Sequence, residues 1–232
     1  MVFRFFVCLI IFNFFSIQAF SQIGIGQWRD HLPFAKFIAV SNNNSVVYSA
    51  TPYSLLIIDQ GDNSITRLNK VNGLSDNRIQ DIDFSSSANA LIIAYSNTNV
   101  DIHKSEAIIN LSDIKRKPIL GNKTINQIHI QDHLAYLACG FGIVVIDLQR
   151  EEVKDTYLIG PGASHINVQD VCINDTAIFA ASDEGLFYAN LNSANLADYS
   201  NWNRITTIPT SEHNFSHIAS IGNNLILVNK RN

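Results

Sequence analysis

The stretch AYLACGFGIVVIDL, residues 135–148, carries the pattern that decides the fold. A run of strand-forming residues closes at Ala138, Gly142 follows four positions later, IVVI runs from 143 to 146, and Asp147 ends it. Working outward, the pattern recurs. Ala50, Ala94, Ala138 and Ala181 stand at intervals of 44, 44 and 43 residues and close the runs SVVYSA, ALIIA, AYLA and AIFAA. Four positions after each come Ser54, Thr98, Gly142 and Gly185, and five after those come Asp59, His103, Asp147 and Asn190. Between these markers lie LLII, NVDI, IVVI and LFYA. Ahead of each alanine stands a further apolar run: FIAV at 37, IQDIDF at 79, INQIHI at 125 and VQDVCI at 168. A fifth copy begins at FSHIASI, 215, and continues through LILV at 225.

Short runs rich in Val, Ile, Tyr and Phe, bounded by Asn, Gly, Ser and Asp, read as strands joined by hairpins. No stretch keeps a helical period. A repeat of about 44 residues holding several strands is the signature of a propeller blade, a four-stranded sheet packed face to face on its neighbours. One twisted sheet cannot hide both faces alone, and stacking sheets about an axis buries them. The fold class read here is all-β, a β-propeller of four-stranded blades. At this spacing the chain from residue 22 onward supplies about four and a half blades. Ending inside a strand pair at Asn232 leaves an open edge, so the expectation is a truncated propeller, the N-terminal part of a longer protein.

The repeat also disarms tempting residues. Gly142 and Gly185 read as turn residues at positive φ. Asp59 and Asp147 share a blade position with His103 and Asn190, so they read as turn chemistry rather than as paired carboxylates. Asp101 is the odd one out: it sits where the other blades have Ile57, Val145 or Tyr188, and is expected to face solvent or a polar pocket.

Residues 1–21 read as an export signal. Arg4 precedes an apolar run from Phe5 to Phe12, and Ala19-Phe20-Ser21 places small residues where a signal peptidase reads. The run is too short for a spanning helix. Domain organisation is thus a signal peptide at 1–21 and the propeller part at 22–232. With 16% charged residues and a formal net charge of −4, the chain has no basic field for phosphates, and nucleic acid is not an expected partner. Lys115, Arg116 and Lys117 read as a solvated face. Cys139 and Cys172 lie in strand-like runs and read either as one disulfide or as two buried free thiols.

Several strings bring a family into view: QWRDHLPF at 27, LNKVNGLSD at 68, IAYSNTNVDI at 93, INLSDIKRK at 109, AYLACGFGIVVIDL at 135 and KDTYLIG at 154. From about Trp28 to Trp202 the chain resembles the N-terminal propeller of PorZ proteins of Bacteroidetes. The resemblance implies two propellers and a C-terminal sorting domain in the intact protein, and a place on the outer surface of the outer membrane. It implies partnership with the sortase PorU, the barrel-type shuttle PorV and PorQ. The implied role is to bind anionic lipopolysaccharide and deliver it to the sortase. No cofactor is implied.

Catalytic patterns are sparse. No G-x-S-x-G elbow occurs. His129 and His133 are four apart, but on or beside a strand and without the glutamate of H-E-x-x-H. His213 and His217 flank a turn. Asp59, Asp62 and Asn63 could ligate calcium, yet hairpin turns use the same residues. Binding residues are sought in the loops. Tyr53, Tyr95, Asn97 and Asn99 are placed between the second and third strands of blades one and two, with Arg29 and His31 near the first blade. Exposed aromatics stack on sugars and amides bond hydroxyls, so these residues and Asp101 are the candidate ligand-binding set, against the plainer reading of ordinary turn and rim residues. Two other functions compete: a carbohydrate-sensing propeller of a periplasmic two-component regulator, and a polysaccharide-cleaving enzyme. The enzyme would need an acid and base pair that the blade pattern does not offer.

Overall fold

Each inner strand of the protein is followed by partners that turn back on it in sequence order, so every sheet is an antiparallel meander. The structure is a computed structural model and describes residues 34, 36–105, 107–119, 121–208, 214–222 and 224–229. The export segment, Arg29, His31 and His213 lie outside the described residues. Blade 1 holds β1 (Ala39–Asn43), β2 (Val46–Thr51), β3 (Ser54–Asp59) and β4 (Ile65–Asn69). Blade 2 holds β5 (Ile79–Ser85), β6 (Ala90–Tyr95), β7 (Val100–Lys104) and β8 (Ala107–Leu111), followed by the short helix α1 (Asp113–Arg116). Blade 3 holds β9 (Ile125–Gln131), β10 (Leu134–Cys139), β11 (Gly142–Asp147) and β12 (Glu152–Tyr157). Blade 4 holds β13 (Val168–Ile173), β14 (Ala177–Ser182), β15 (Gly185–Asn190) and β16 (Asn203–Arg204). Two strands of a fifth follow, β17 (Phe215–Ile221) and β18 (Asn224–Asn229). The blades form an unclosed propeller.

Four apolar clusters form the core, one at each junction of successive blades. Tyr48, Ala50 and Leu55 of blade 1 meet Leu91, Ile93 and Tyr95 of blade 2. The other face of blade 2, with Ile92, Ala94 and Ile102, meets Leu137, Val144 and Ile146 of blade 3. Blades 3 and 4 share a third cluster around Tyr136, Val145, Phe187 and Trp202, and blade 4 meets the fifth pair through Ala181, Leu186, Phe215 and Ile218. The repeat alanines, Ala50, Ala94, Ala138 and Ala181, are all fully buried on second strands, where a larger side chain would force the sheets apart.

The outermost strands β4, β8, β12 and β16 left the weakest mark in the sequence. Their burial is patchy, ITRLN being mostly exposed and EVKDTY half charged, so neither alternation nor an apolar run betrays them. The first run also starts later than its apolar residues suggest: β1 begins at Ala39, and Phe37 and Ile38 precede it, both exposed.

One inserted residue changes the register of blade 2. Ala50 pairs Leu55, Ala138 pairs Ile143 and Ala181 pairs Leu186, but Ala94 pairs Val100. The turn is one residue longer, and it carries Thr98 at φ +66. Asp101 therefore lies level with Leu56, Val144 and Phe187, not with Ile57, Val145 and Tyr188 as counting implies. His103 lies level with Ile58, Ile146 and Ala189, so the Asp59 position falls one residue past it. At the unshifted blades the turn reading holds. Asp59 Oδ1 accepts from Gly61 N at 2.7 Å, Asp147 Oδ1 from Gln149 N and Arg150 N at 3.0 Å, and Asn190 Oδ1 from Asn192 N at 2.8 Å. Asp62 Oδ1 accepts from Ser64 N at 2.8 Å, so the backbone uses the oxygens considered for calcium.

The inner strands share a second device that counting did not show. Each of β5, β9, β13 and β17 shifts register one step after its first residue, between Ile79 and Asp81, Ile125 and Gln127, Val168 and Asp170, and Phe215 and His217. Such a bulge re-aims a side chain. Asp81 thereby reaches from blade 2 to the backbone of β9, and Asp170 from blade 4 to that of β17. Blade 1 uses Ser41, whose hydroxyl donates to Asp83 Oδ1 and accepts from Phe84 N, both at 3.0 Å. These contacts satisfy N–H groups on strands that have no ladder partner on that side.

Candidate functional site

The longer turn of blade 2 gathers four of the residues singled out in the sequence. Asp101 is fully buried, so of the two expectations the solvent-facing one is corrected and the polar pocket holds, closed within the fold. It occupies a core position, and three donors satisfy it. Tyr95 Oη donates to Oδ2 at 2.6 Å, Ser75 N donates to Oδ2 at 2.9 Å, and Asn110 Nδ2 donates to Oδ1 at 2.8 Å. Tyr95 is the last residue of β6 and is fully buried, so it cannot serve as a sugar-stacking face. Burial, reinforced by its bond to the Asp101 carboxylate, pushes its phenol far above the usual range.

Next to Ser75, Asp76 anchors a second knot. Lys115 Nζ donates to Oδ2 at 2.8 Å, Asn97 Nδ2 donates to the same oxygen, Asn77 N donates to Oδ1 at 3.0 Å, and Lys70 Nζ to Oδ1 at 3.3 Å. Burial alone would raise this carboxyl, but the Lys115 ammonium and the Asn97 amide lead the groups that hold it well below the carboxylate range. Asn97 is exposed, whereas Asn99 is buried, its Oδ1 without a hydrogen-bond partner among the described residues. Together these bonds pin the LNKVNGLSD loop to blade 2. Lys115, read as part of a solvated basic face, is thus a member of the knot.

Tyr53 stands apart from that group. It lies on the turn between β2 and β3, 42% exposed, and lines a shallow cleft of about 500 Å³ where blade 1 meets blade 2. Opposite it stand Arg78, Gln80 and Ser96. Arg78 was missed in the sequence because a single arginine ahead of a strand carries no pattern. Its φ is +61, its carbonyl accepts from Ser96 N at 2.8 Å, and the next N–H, of Ile79, donates to Pro52 O at 2.9 Å. Among the described residues its guanidinium has no ion-pair partner. The cleft therefore sets a free cation and an exposed aromatic beside an amide and a hydroxyl. That set suits a saccharide bearing an anionic group: the guanidinium for the charge, the ring for the apolar sugar face.

Cys139 and Cys172 are free and buried, which decides between the two readings left open for them. His129 lies on β9, and His133 follows in the turn with Nε2 3.9 Å from Asp147 Oδ2. Among the described residues no group of three His, Cys, Asp or Glu side chains could hold a metal ion, and no helix is long and apolar enough to cross a membrane.

Meandering four-stranded blades with clefts where they meet define a β-propeller. Residues 47–203 match the family model described as TSS9, PorZ, N-terminal beta-propeller domain, and the chain belongs to that family. PorZ of Porphyromonas gingivalis, described as an essential bacterial surface component of the type-IX secretion system, is similar in structure. The TM-score is 0.72 with 23% identity over 84% of this chain and 25% of that one. The extracellular domain of the two component system BT4673 from B. thetaiotaomicron gives a TM-score of 0.60 at 10% identity, covering 83% of this chain and 25% of that one. The WD40 propeller of Doa1 gives 0.54 at 13%, covering 81% and 58%. At such identities the structural likeness shows the fold alone. The chain spans about a quarter of the PorZ chain that it matches. No curated protein matches the sequence.

Proposed function

We propose that this propeller is a binding component of type IX secretion at the cell surface, which holds anionic lipopolysaccharide for delivery to the sortase PorU and has no catalytic step of its own. PorV and PorQ are its further partners in this reading, and its place is the outer face of the outer membrane. One observation carries it: in a chain of the PorZ family, Arg78, whose guanidinium has no ion-pair partner among the described residues, lines the same open cleft as the exposed Tyr53. In this reading Tyr53, a candidate from the sequence, contacts the ligand together with Arg78. The sensor alternative has only a shared fold behind it, and fold does not carry function.

Surface plasmon resonance of the purified protein over immobilised anionic lipopolysaccharide tests the proposal. Binding is expected to weaken as salt rises and to fall about tenfold in Arg78→Ala, the loss typical of one charge-assisted contact. Equal binding by wild type and Arg78→Ala, or indifference to salt, would overturn it.

A further inference from the structure

At the opposite end of β2 from Tyr53, blades 1 and 2 part again, around a half-open cleft of about 660 Å³. The register shift of blade 2 sets His103 on this junction. The position of His103 is filled by Ile146 at the junction of blades 2 and 3 and by Ala189 at that of blades 3 and 4, both fully buried. An imidazole stands where the other junctions have a packed aliphatic group.

The lining has a consistent chemistry. Tyr48 and Phe84 stack at 5.4 Å between ring centroids and 14° between planes, and aliphatic side chains extend this apolar wall. Asn72, Asn89 and Ser105, all exposed, stand at the rim with the His103 ring. Among the described residues no Lys, Arg, Asp or Glu lines the cleft. Burial lowers the pKa of His103 below the usual imidazole range, so at neutral pH the ring offers one donor and one acceptor and no charge. A charged ligand would lose its hydration here without a counter-charge. An acyl chain would strand the imidazole and the rim amides. The volume falls within the usual range for small-ligand sites.

We infer that this cleft is a second binding site, which takes an uncharged saccharide unit, its apolar face toward the Tyr48–Phe84 wall and a ring hydroxyl bonded by His103. The inference is independent of the Tyr53–Arg78 cleft, since the two sites use different residues and take ligands of different charge, one anionic and one neutral.

Saturation-transfer NMR of the purified protein with the methyl glycosides of galactose, mannose and N-acetylglucosamine, each at roughly 10 mM, provides the test. At least one neutral glycoside is expected to receive saturation and to shift the His103 ring signals, and about 0.5 M salt should leave this unchanged. His103→Phe, which restores an apolar group at the position, should weaken the signal about tenfold. Thr66→Trp, a plug on the exposed rim strand, should do the same without touching the core. Absence of transfer to all three glycosides overturns the inference. So does undiminished transfer in His103→Phe and Thr66→Trp.

Discussion

Asp81 of blade 2 accepts a hydrogen bond from the backbone N–H of Ile128 in blade 3, at 2.9 Å. Asp170 repeats the relationship with Ile218 two blades on, also at 2.9 Å. Both carboxylates sit on bulges of inner strands, so the sheets are joined at their inner edges by side chain to backbone bonds as well as by the apolar clusters farther out.

That placement has a cost in charge. Burial first, then the neighbouring charges of Asp83 and Asp170, push Asp81 up to about 6 from 3.8, despite the N–H groups of Ile128 and Ile82 that favour its ionised form. Burial likewise raises Asp170. A carboxyl raised in the folded state contributes stability that is fully present below its unfolded value and is lost as pH rises through the folded one. Between pH 4 and 7, ionisation of Asp81 thus costs the fold about 2 kcal/mol. Half-buried His103 and His129, held low by partial burial, act in the opposite direction, losing stability as pH falls. The informative quantity is the difference between wild type and Asp81→Asn in urea unfolding. The amide keeps one oxygen for Ile128 and does not titrate, so the variant is expected to gain on wild type by about 2 kcal/mol from pH 4 to 7. A constant difference would show that Asp81 ionises freely.

The buried Asp101 gives a second prediction. Tyr95→Phe removes one of its three donors while leaving the ring in place, and is expected to cost about 1–3 kcal/mol because a carboxylate loses a partner inside the fold. Hydrogen exchange should accelerate most at the Ser75 amide, which shares Oδ2 with the phenol. Asp101→Val copies Val144 but strands Tyr95, Ser75 and Asn110 together, so it is expected to be worse than Tyr95→Phe.

These two sites also mark where sequence reading stopped. The blade period, the buried alanines and the turn roles of Asp59, Asp147, Asn190, Gly142 and Gly185 all follow from local pattern, because each blade repeats the same solution. Asp101 and His103 were misregistered because one extra turn residue, 95–99, leaves the 44-residue count intact while moving every later side chain on β7 by one place. Tyr95 looked like a loop aromatic and proves to be a core residue, since nothing in IAYSNTNVDI says where the strand ends. Arg78 and the Asp76–Lys115 pair depend on contacts between residues distant in sequence, which no periodicity encodes. The place of Tyr53 on the turn between β2 and β3 was legible for the opposite reason, since a short hairpin is a local pattern.

The free thiols should be inert in the folded protein. Burial raises Cys172 to about 11 and Cys139 still higher, so neither carries appreciable thiolate at pH 8. Labelling with iodoacetamide followed by peptide mapping is expected to leave both unmodified in buffer and to modify both in urea. Rapid labelling of Cys139 in the native state would mean that the junction of blades 2 and 3, where it packs, opens readily.

Two glycines at positive φ separate backbone conformation from packing. Gly142 opens β11 at φ +144, and a Cβ there would collide with the Tyr157 carbonyl oxygen on β12. Gly162 sits at φ +66 in the loop after β12, and a Cβ there would meet nothing within 4 Å. Alanine at Gly162 therefore carries only the conformational penalty, about 1 kcal/mol. Alanine at Gly142 adds a clash between two backbones whose ladder fixes their separation, since Ile143 pairs Tyr157. Relief requires β12 to move, which breaks contacts of Tyr157 with the blade 4 cluster, including Trp202 at 6.1 Å between ring centroids. The expected loss is about 3 kcal/mol or more. Thermal unfolding of the two variants side by side checks the argument. Similar melting temperatures would show that β12 yields without strain and that the hairpin tolerates a side chain at its first residue.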